Sequence, residues 1–157
     1  MLLYILRHAE AEPKTIPDWE RRLTPHGHEQ ARKMGNFCLE RKLIPEVILT
    51  SPVVRARQTA EGFVAVLKKG ELIEVPWMAC GMHPEVALKE FQAYMHFDSV
   101  MLVGHEPDLS HLIACLLGVK SAAALDVRKA SLTAIEVKRL APGAGALQFF
   151  IPCEIVS

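Results

Sequence analysis

The 157-residue chain balances eighteen Lys and Arg against eighteen Asp and Glu, so no overall field draws it to nucleic acid or an anionic membrane, and an anion site has to be built locally. The length corresponds to one domain, residues 1–157, with a substantial core, since a chain of this size buries ~70% of its unfolded surface. Cys38, Cys80, Cys115 and Cys153 are scattered with no C-x-x-C pair, which argues against a disulfide-stapled secreted scaffold and predicts free thiols in the reducing cytoplasm. No run approaches the ~20 apolar residues of a membrane span, and Met1–Leu6 is too short for a signal-peptide core and lacks a basic leader.

Taken in chain order, Leu2–Leu6 is a short continuous apolar run, as expected of a strand covered on both faces, and it ends at Arg7-His8. Thr24-Pro25 places a capping hydroxyl before a proline suited to a first helical turn, and Ala31, Met34, Gly35 and Cys38 then share one helical face. Val47–Leu49 is a second buried strand; Ser51-Pro52 repeats the start signal, and Ala56, Ala60, Phe63, Val64 and Leu67 line the following helix. The stretch from Val75 to Ala93 is weakly patterned, with a helix predicted over Glu85–Tyr94. Val100–Val103 is the third strand, and Pro107 after Glu106 opens a helix carrying Leu109, Leu112, Ile113, Leu116 and Leu117 on one face. Ser131–Lys138 and Leu147–Ile151 read as two strands of an antiparallel edge hairpin, joined through Pro142-Gly143 and Gly145. Alternating strands and helices imply an α/β fold with a mostly parallel sheet.

Two buried strands therefore end in a histidine, at Leu6-Arg7-His8-Ala9-Glu10 and at Gly104-His105-Glu106-Pro107. The carboxyl edge of such a sheet gathers loops and the positive ends of helices into one crevice. A neutral imidazole with one free ring nitrogen is a nucleophile toward phosphorus. His8 fits that role, because the adjacent Arg7 disfavours the imidazolium and holds an incoming phosphate. Arg55 falls in the first turn of a helix that starts where Val47–Leu49 ends, so a guanidinium fork and free N–H groups face one anion. Arg57 lies about 200° further round that helix and reads as a solvated arginine, given ~100° per residue. His105 can donate to a phosphoryl oxygen, with Gly104 allowing close backbone approach. Bland alternatives are a strand-end His8 satisfied by a backbone carbonyl and a His105 that only caps a helix.

The order Leu6-Arg7-His8, Arg21-Arg22-Leu23-Thr24-Pro25-His26-Gly27, Ser51-Pro52 with Arg55-Ala56-Arg57-Gln58-Thr59, and Val103-Gly104-His105 resembles the histidine phosphatase superfamily (phosphoglycerate mutase-like) across almost the whole chain. The length and the Arg-x-Leu-Thr-x-x-Gly block are similar to its SixA-type phosphohistidine phosphatases. That resemblance implies a three-layer α/β/α sandwich and a His8 that is transiently phosphorylated. It also implies that Arg7, Arg55 and His105 surround the phosphoryl group and that Arg21 closes over it. Ala9 stands where the superfamily usually has glycine, which restricts the backbone beside the nucleophile without removing a chemical group.

Ester-cleaving members generally carry a carboxylic acid in the middle segment, because an alkoxide needs a proton to leave. No carboxylate precedes the Ala79-Cys80-Gly81 turn here, and Glu85 and His83 are the fallback substrate-binding or acid residues. A glutamate opening a helix is ordinarily only a favourable charge at the dipole end. A phosphohistidine substrate relaxes the demand, since its imidazole leaving group has a conjugate-acid pKa of ~6.5. The reading is thus a phosphatase acting on phosphohistidine of a signalling phosphotransfer protein, needing neither cofactor nor metal, with phosphate, sulfate or tungstate as pocket ligands. The alternatives are a small phosphomonoester phosphatase or mutase, and a phosphate-binding module without turnover. No histidine pair has the spacing of metal ligands within one helix, and His26, His28, His96 and His111 read as surface or core-edge residues.

Overall fold

The computed structural model describes residues 1–157. Its centre is a six-stranded sheet formed by β1 (Leu2–Arg7), β2 (Val47–Thr50), β3 (Glu71–Glu74), β4 (Ser99–Gly104), β5 (Leu132–Val137) and β6 (Gly145–Ile151), ordered β3-β2-β4-β1-β5-β6. β1 to β4 run parallel; β5 is antiparallel to β1 and β6 to β5. Strand alternation separates two cores. Leu3, Ile5, Leu49 and Leu102 point to one face, where α3 (Pro84–Phe91) and α4 (Asp108–Leu117) pack through Phe91, Leu109, Ile113 and Leu116. Tyr4, Leu6, Ile48, Met101 and Val103 point to the other, against Met34 and Cys38 of α1 (Pro25–Glu40) and Ala60, Phe63 and Leu67 of α2 (Val54–Leu67). The fold is a three-layer α/β/α sandwich with an antiparallel edge hairpin, and burial on both faces is why β1, β2 and β4 are apolar at consecutive positions. No helix is long and apolar enough to cross a membrane.

Several boundaries differ from the sequence reading. β3 was not expected: it is a four-residue edge strand with only Leu72 and Ile73 apolar, held by β2 alone. α2 starts at Val54 with no side-chain cap, because Ser51 stays in the strand extension, where its Oγ accepts from Val53 N–H at 3.2 Å. Pro107 is the residue before α4 and not its first, and the end is capped by Glu106, whose Oε1 accepts from Ser110 N–H at 2.9 Å. Gly145 begins β6 instead of lying in the loop. Thr24 does cap α1, its Oγ1 accepting from Gly27 N–H at 3.0 Å with Pro25 in the first turn.

β1 and β4 are neighbours, yet β1 leads to α1 on one face and β4 to α4 on the other. A crevice opens where connections from adjacent strands diverge in this way. Both strand-end histidines stand at it.

Candidate active site

His8 leaves β1 with its backbone N–H bonded to Gly104 O at 3.0 Å, which fixes the two strand ends against each other. Its Nδ1 lies 2.7 Å from Ala9 O. A carbonyl only accepts, so the proton is on Nδ1 and Nε2 keeps its lone pair. Arg55 Nε is 3.4 Å from that nitrogen. Burial pushes the His8 imidazolium down to about 3, against the Ala9 carbonyl and with the charges of His105, Arg55 and Arg7. The ring is neutral at physiological pH, with its free nitrogen facing a guanidinium. Ala9 is fully buried and its N–H donates to Thr59 Oγ1 at 3.0 Å, while Thr59 Oγ1 donates to Arg55 O at 2.7 Å. One threonine of α2 therefore sets the nucleophile loop relative to Arg55.

Arg55 is 4% exposed and sits in the first turn of α2. Its Nη1 donates to Asp18 O at 2.8 Å and its Nη2 to Asp18 Oδ2 at 3.2 Å. The other oxygen, Oδ1, accepts from Arg21 Nη1 at 3.1 Å, and Arg21 Nε donates to Glu12 O at 2.7 Å. Asp18 thus bridges two buried arginines from the loop between β1 and α1. Burial alone would raise its carboxyl; the Arg21 hydrogen bond and the Arg55 charge hold it below the ordinary range. Arg7 donates from Nη1 to Val127 O at 2.8 Å, and its Nε is buried without a partner.

His105 Nε2 is 2.6 Å from Ser51 Oγ, while Nδ1 is buried and unpartnered. The His105 ring lies 5.4 Å from that of His8, tilted by 50°, and burial followed by the Arg55 charge lowers its imidazolium to about 4. The Ser51 hydroxyl that reads as a helix cap in the sequence is the partner of this histidine. Gly104 leaves space for Leu109 and Met78, whose side chains would lie 3.1 and 3.3 Å from a Cβ there.

A cleft of about 320 Å³ opens over these groups, lined by Arg7, His8, Lys14, Asp18, Arg21, Arg55, Cys80, Glu106 and Lys129. Five cations face two carboxylates in that lining, so a neutral chain carries a strongly positive pocket. A larger groove of about 500 Å³ between α1 and Ser157 holds no histidine and only surface charges. The structure brings Arg7, His8, Arg21 and Arg55 together in the cleft, with His105 against the His8 ring. It does not bring His83 or Glu85 there: both are exposed at the start of α3, which turns them away. The middle segment contributes Cys80 instead, in a turn whose Gly81 and Met82 N–H groups donate to Asp108 Oδ2 at 2.8 and 3.0 Å. Arg57 pairs with Glu61 and Glu74 at 3.7 and 3.6 Å, away from the cleft. Asp18, Lys14, Cys80, Glu106 and Lys129 were not read from the sequence; only Glu106 had a signal, its place beside His105.

The profile of the histidine phosphatase superfamily (branch 1) matches residues 3–95. The chain belongs to this superfamily. An uncharacterized protein of Picosynechococcus is 31% identical over 84% of this chain and 82% of its own. The phosphohistidine phosphatase SixA of Escherichia coli is 30% identical over 73% of each chain. The solved structure of the protein histidine phosphatase SixA complexed with tungstate superposes with a TM-score of 0.90 at 22% identity, covering all of both chains. This member of the superfamily is a phosphatase of the SixA type.

Proposed function

We propose that the protein dephosphorylates phosphohistidine on a signalling phosphotransfer protein, through a phosphohistidine intermediate on His8. The observation that carries this reading is the buried, neutral His8 ring, its Nδ1 committed to Ala9 O at 2.7 Å and its Nε2 free, 3.4 Å from Arg55 Nε. A module that only held phosphate would gain nothing from a ring kept neutral beside three cationic or imidazole neighbours.

In the first displacement His8 Nε2 attacks phosphorus and the N–P bond of a substrate phosphohistidine protonated on its other ring nitrogen breaks, so that the side chain leaves as neutral imidazole with the bonding pair. Water then attacks phospho-His8, the bond from phosphorus to Nε2 breaks, and inorganic phosphate is released. Charge on the equatorial oxygens is held by Arg7, Arg55 and His105 in both steps, and stabilisation by positioned charges is the main demand of phosphoryl transfer. Arg21 closes the pocket from the first loop, through Asp18. The relatives named SixA support the phosphohistidine substrate. The tungstate bound by one of them supports phosphate, sulfate and tungstate as pocket ligands here.

The test is turnover on a histidine-phosphorylated phosphotransfer domain beside a generic phosphate ester. Loss of the phosphohistidine signal with wild type, abolished in His8→Ala, is the expected result. Equal turnover by His8→Ala would overturn it.

A further inference from the structure

Phosphohistidine carried on a protein brings more surface to the enzyme than a cleft of about 320 Å³ takes in, since a protein interface covers ~800 Å² of each partner. The rim of the cleft has to make contact as well. Residues 12–22, between β1 and α1, supply Lys14, Asp18 and Arg21 to the cleft wall. This excursion is closed at its base by a bridge from Ala11 to Leu23 and by Glu12 N–H donating to Arg22 O at 2.8 Å, and Pro13 and Pro17 stiffen it. The single turn Asp18–Glu20 is tied down from inside, Asp18 accepting from Arg55 through its backbone oxygen at 2.8 Å and its carboxylate at 3.2 Å. Trp19 stands in the middle of that turn, 66% exposed and the only aromatic among the large exposed apolar side chains. It is not part of the cleft lining. An indole on a fixed turn loses little freedom on binding, and tryptophan is among the residue types that most often anchor a protein interface.

The charges nearby point the same way. Of the five cations in the cleft, Arg21 and Arg55 are paired with Asp18, and Arg7 donates to Val127 O at 2.8 Å. Lys14 and Lys129, from two different loops, make no ion pair, whereas Arg128 is neutralised by Asp126 at 2.7 Å. Glu20, the remaining carboxylate of the Trp19 turn, lies outside the cleft lining. Two free ammonium groups beyond those that hold one phosphoryl group fit anions that flank it.

We propose that Trp19, Lys14 and Lys129 form a docking rim for a protein substrate, the indole covering an apolar patch of the partner and the two lysines meeting carboxylates that flank its phosphohistidine. The inference rests on the protein-phosphohistidine reading above and adds what selects the partner. Arg7, Arg55 and the two histidines treat any phosphohistidine alike; the rim separates a protein that presents it among carboxylates and apolar side chains from free phosphohistidine. Charges on a rim act on the association rate and its salt dependence, and a covered anchor acts on residence time.

The experiment uses a histidine phosphotransfer domain with carboxylates around its phosphohistidine, the same domain with those carboxylates changed to amides, and free phosphohistidine. Each is turned over by wild type, Trp19→Ala, Trp19→Phe and the double variant Lys14→Ala with Lys129→Ala. Trp19→Ala is expected to lose about 10–100-fold in kcat/KM on the acidic domain, the range of an interface anchor. The loss falls on KM, with kcat and the turnover of free phosphohistidine unchanged, and Trp19→Phe keeps most of the wild-type value. The lysine variant is expected to lose about 2–5-fold on the acidic domain at low ionic strength, as exposed ion pairs do, together with the salt dependence that wild type shows there; on the amide domain the two salt slopes coincide. In the His8→Ala background, the affinity for the phosphorylated acidic domain, read by calorimetry, is expected to fall by the same factor when Trp19→Ala is added, which keeps docking separate from the fate of His8. Equal losses on the domain and on free phosphohistidine would make Trp19 a structural residue and overturn the proposal. So would a wild-type KM and an unchanged affinity in Trp19→Ala, and either result leaves the protein-phosphohistidine reading standing. A wild type that turns over free phosphohistidine and neither domain defeats that reading, and this inference with it.

Discussion

The two histidines at the strand ends are buried where an imidazolium is costly, and this sets a pH dependence. Burial pushes their imidazolium forms down to about 3 for His8 and about 4 for His105, below the ordinary 6.5 of an imidazole. Below pH ~6.5 the unfolded chain takes up protons that the folded one refuses, so their contribution is intact above that value and is lost as pH falls toward the folded pKa. The ceiling is about 1.4 kcal/mol per pH unit per histidine. His105→Gln should therefore flatten the fall in unfolding free energy between pH 6.5 and 4.5, measured by urea titration at each pH; a variant with the wild-type slope would contradict the burial argument. Asp18 makes a second test. Asp18→Asn removes the charge that bridges Arg21 and Arg55, at 3.1 and 3.2 Å. Because that carboxylate is 56% exposed, solvent screening limits the cost to about 1 kcal/mol or less. Tungstate then meets two arginines without a competing carboxylate, and ligand binding raises the melting temperature by mass action. The expected outcome is a lower melting temperature for the free variant with a larger tungstate-induced rise than wild type shows, and an equal rise would count against it.

At the scale of elements, the site depends on how α1 and α2 meet the loop after β1. Gly27 in the first turn of α1 lies against the backbone of Glu10, so that a Cβ there would collide with the Glu10 carbonyl. Backbone cannot swing aside as a side chain does. Gly27→Ala should push α1 from residues 9–12, costing about 1–3 kcal/mol as overpacking and lowering kcat through the displaced His8 loop. Calorimetry and steady-state kinetics on the same preparation check it, and unchanged values in both would show that the contact has slack. The strands that the sequence shows plainly, β1, β2 and β4, are those buried on both faces, where every position has to be apolar. β3 escaped notice because an edge strand of four residues needs few apolar side chains. The Ser51-Pro52 start was misplaced by two residues for a chemical reason: the Ser51 hydroxyl is engaged by His105 at 2.6 Å.

Across the whole molecule, a neutral chain concentrates five cations in one cleft at the point where β1 and β4 send their connections to opposite faces. His8, Arg7, Arg55 and His105 were legible because each follows a buried strand or opens a helix, and the topology of the sheet then fixes where they meet. Lys14 and Lys129 lie in turns and Asp18 opens a single 3-10 turn, all without hydrophobic period, so nothing local to the sequence places them in the cleft. His83 and Glu85 show the converse, being near the Cys80 turn along the chain while α3 carries them out of the site.

The most direct test of the central claim is rapid acid-free quenching of wild type and His8→Ala after mixing with phosphotransfer protein labelled on its phosphohistidine. The account predicts a transient label on His8 of the wild type, stable to base and labile to acid, and none on the variant. Turnover without any labelled enzyme, or a label that persists in His8→Ala, would contradict it.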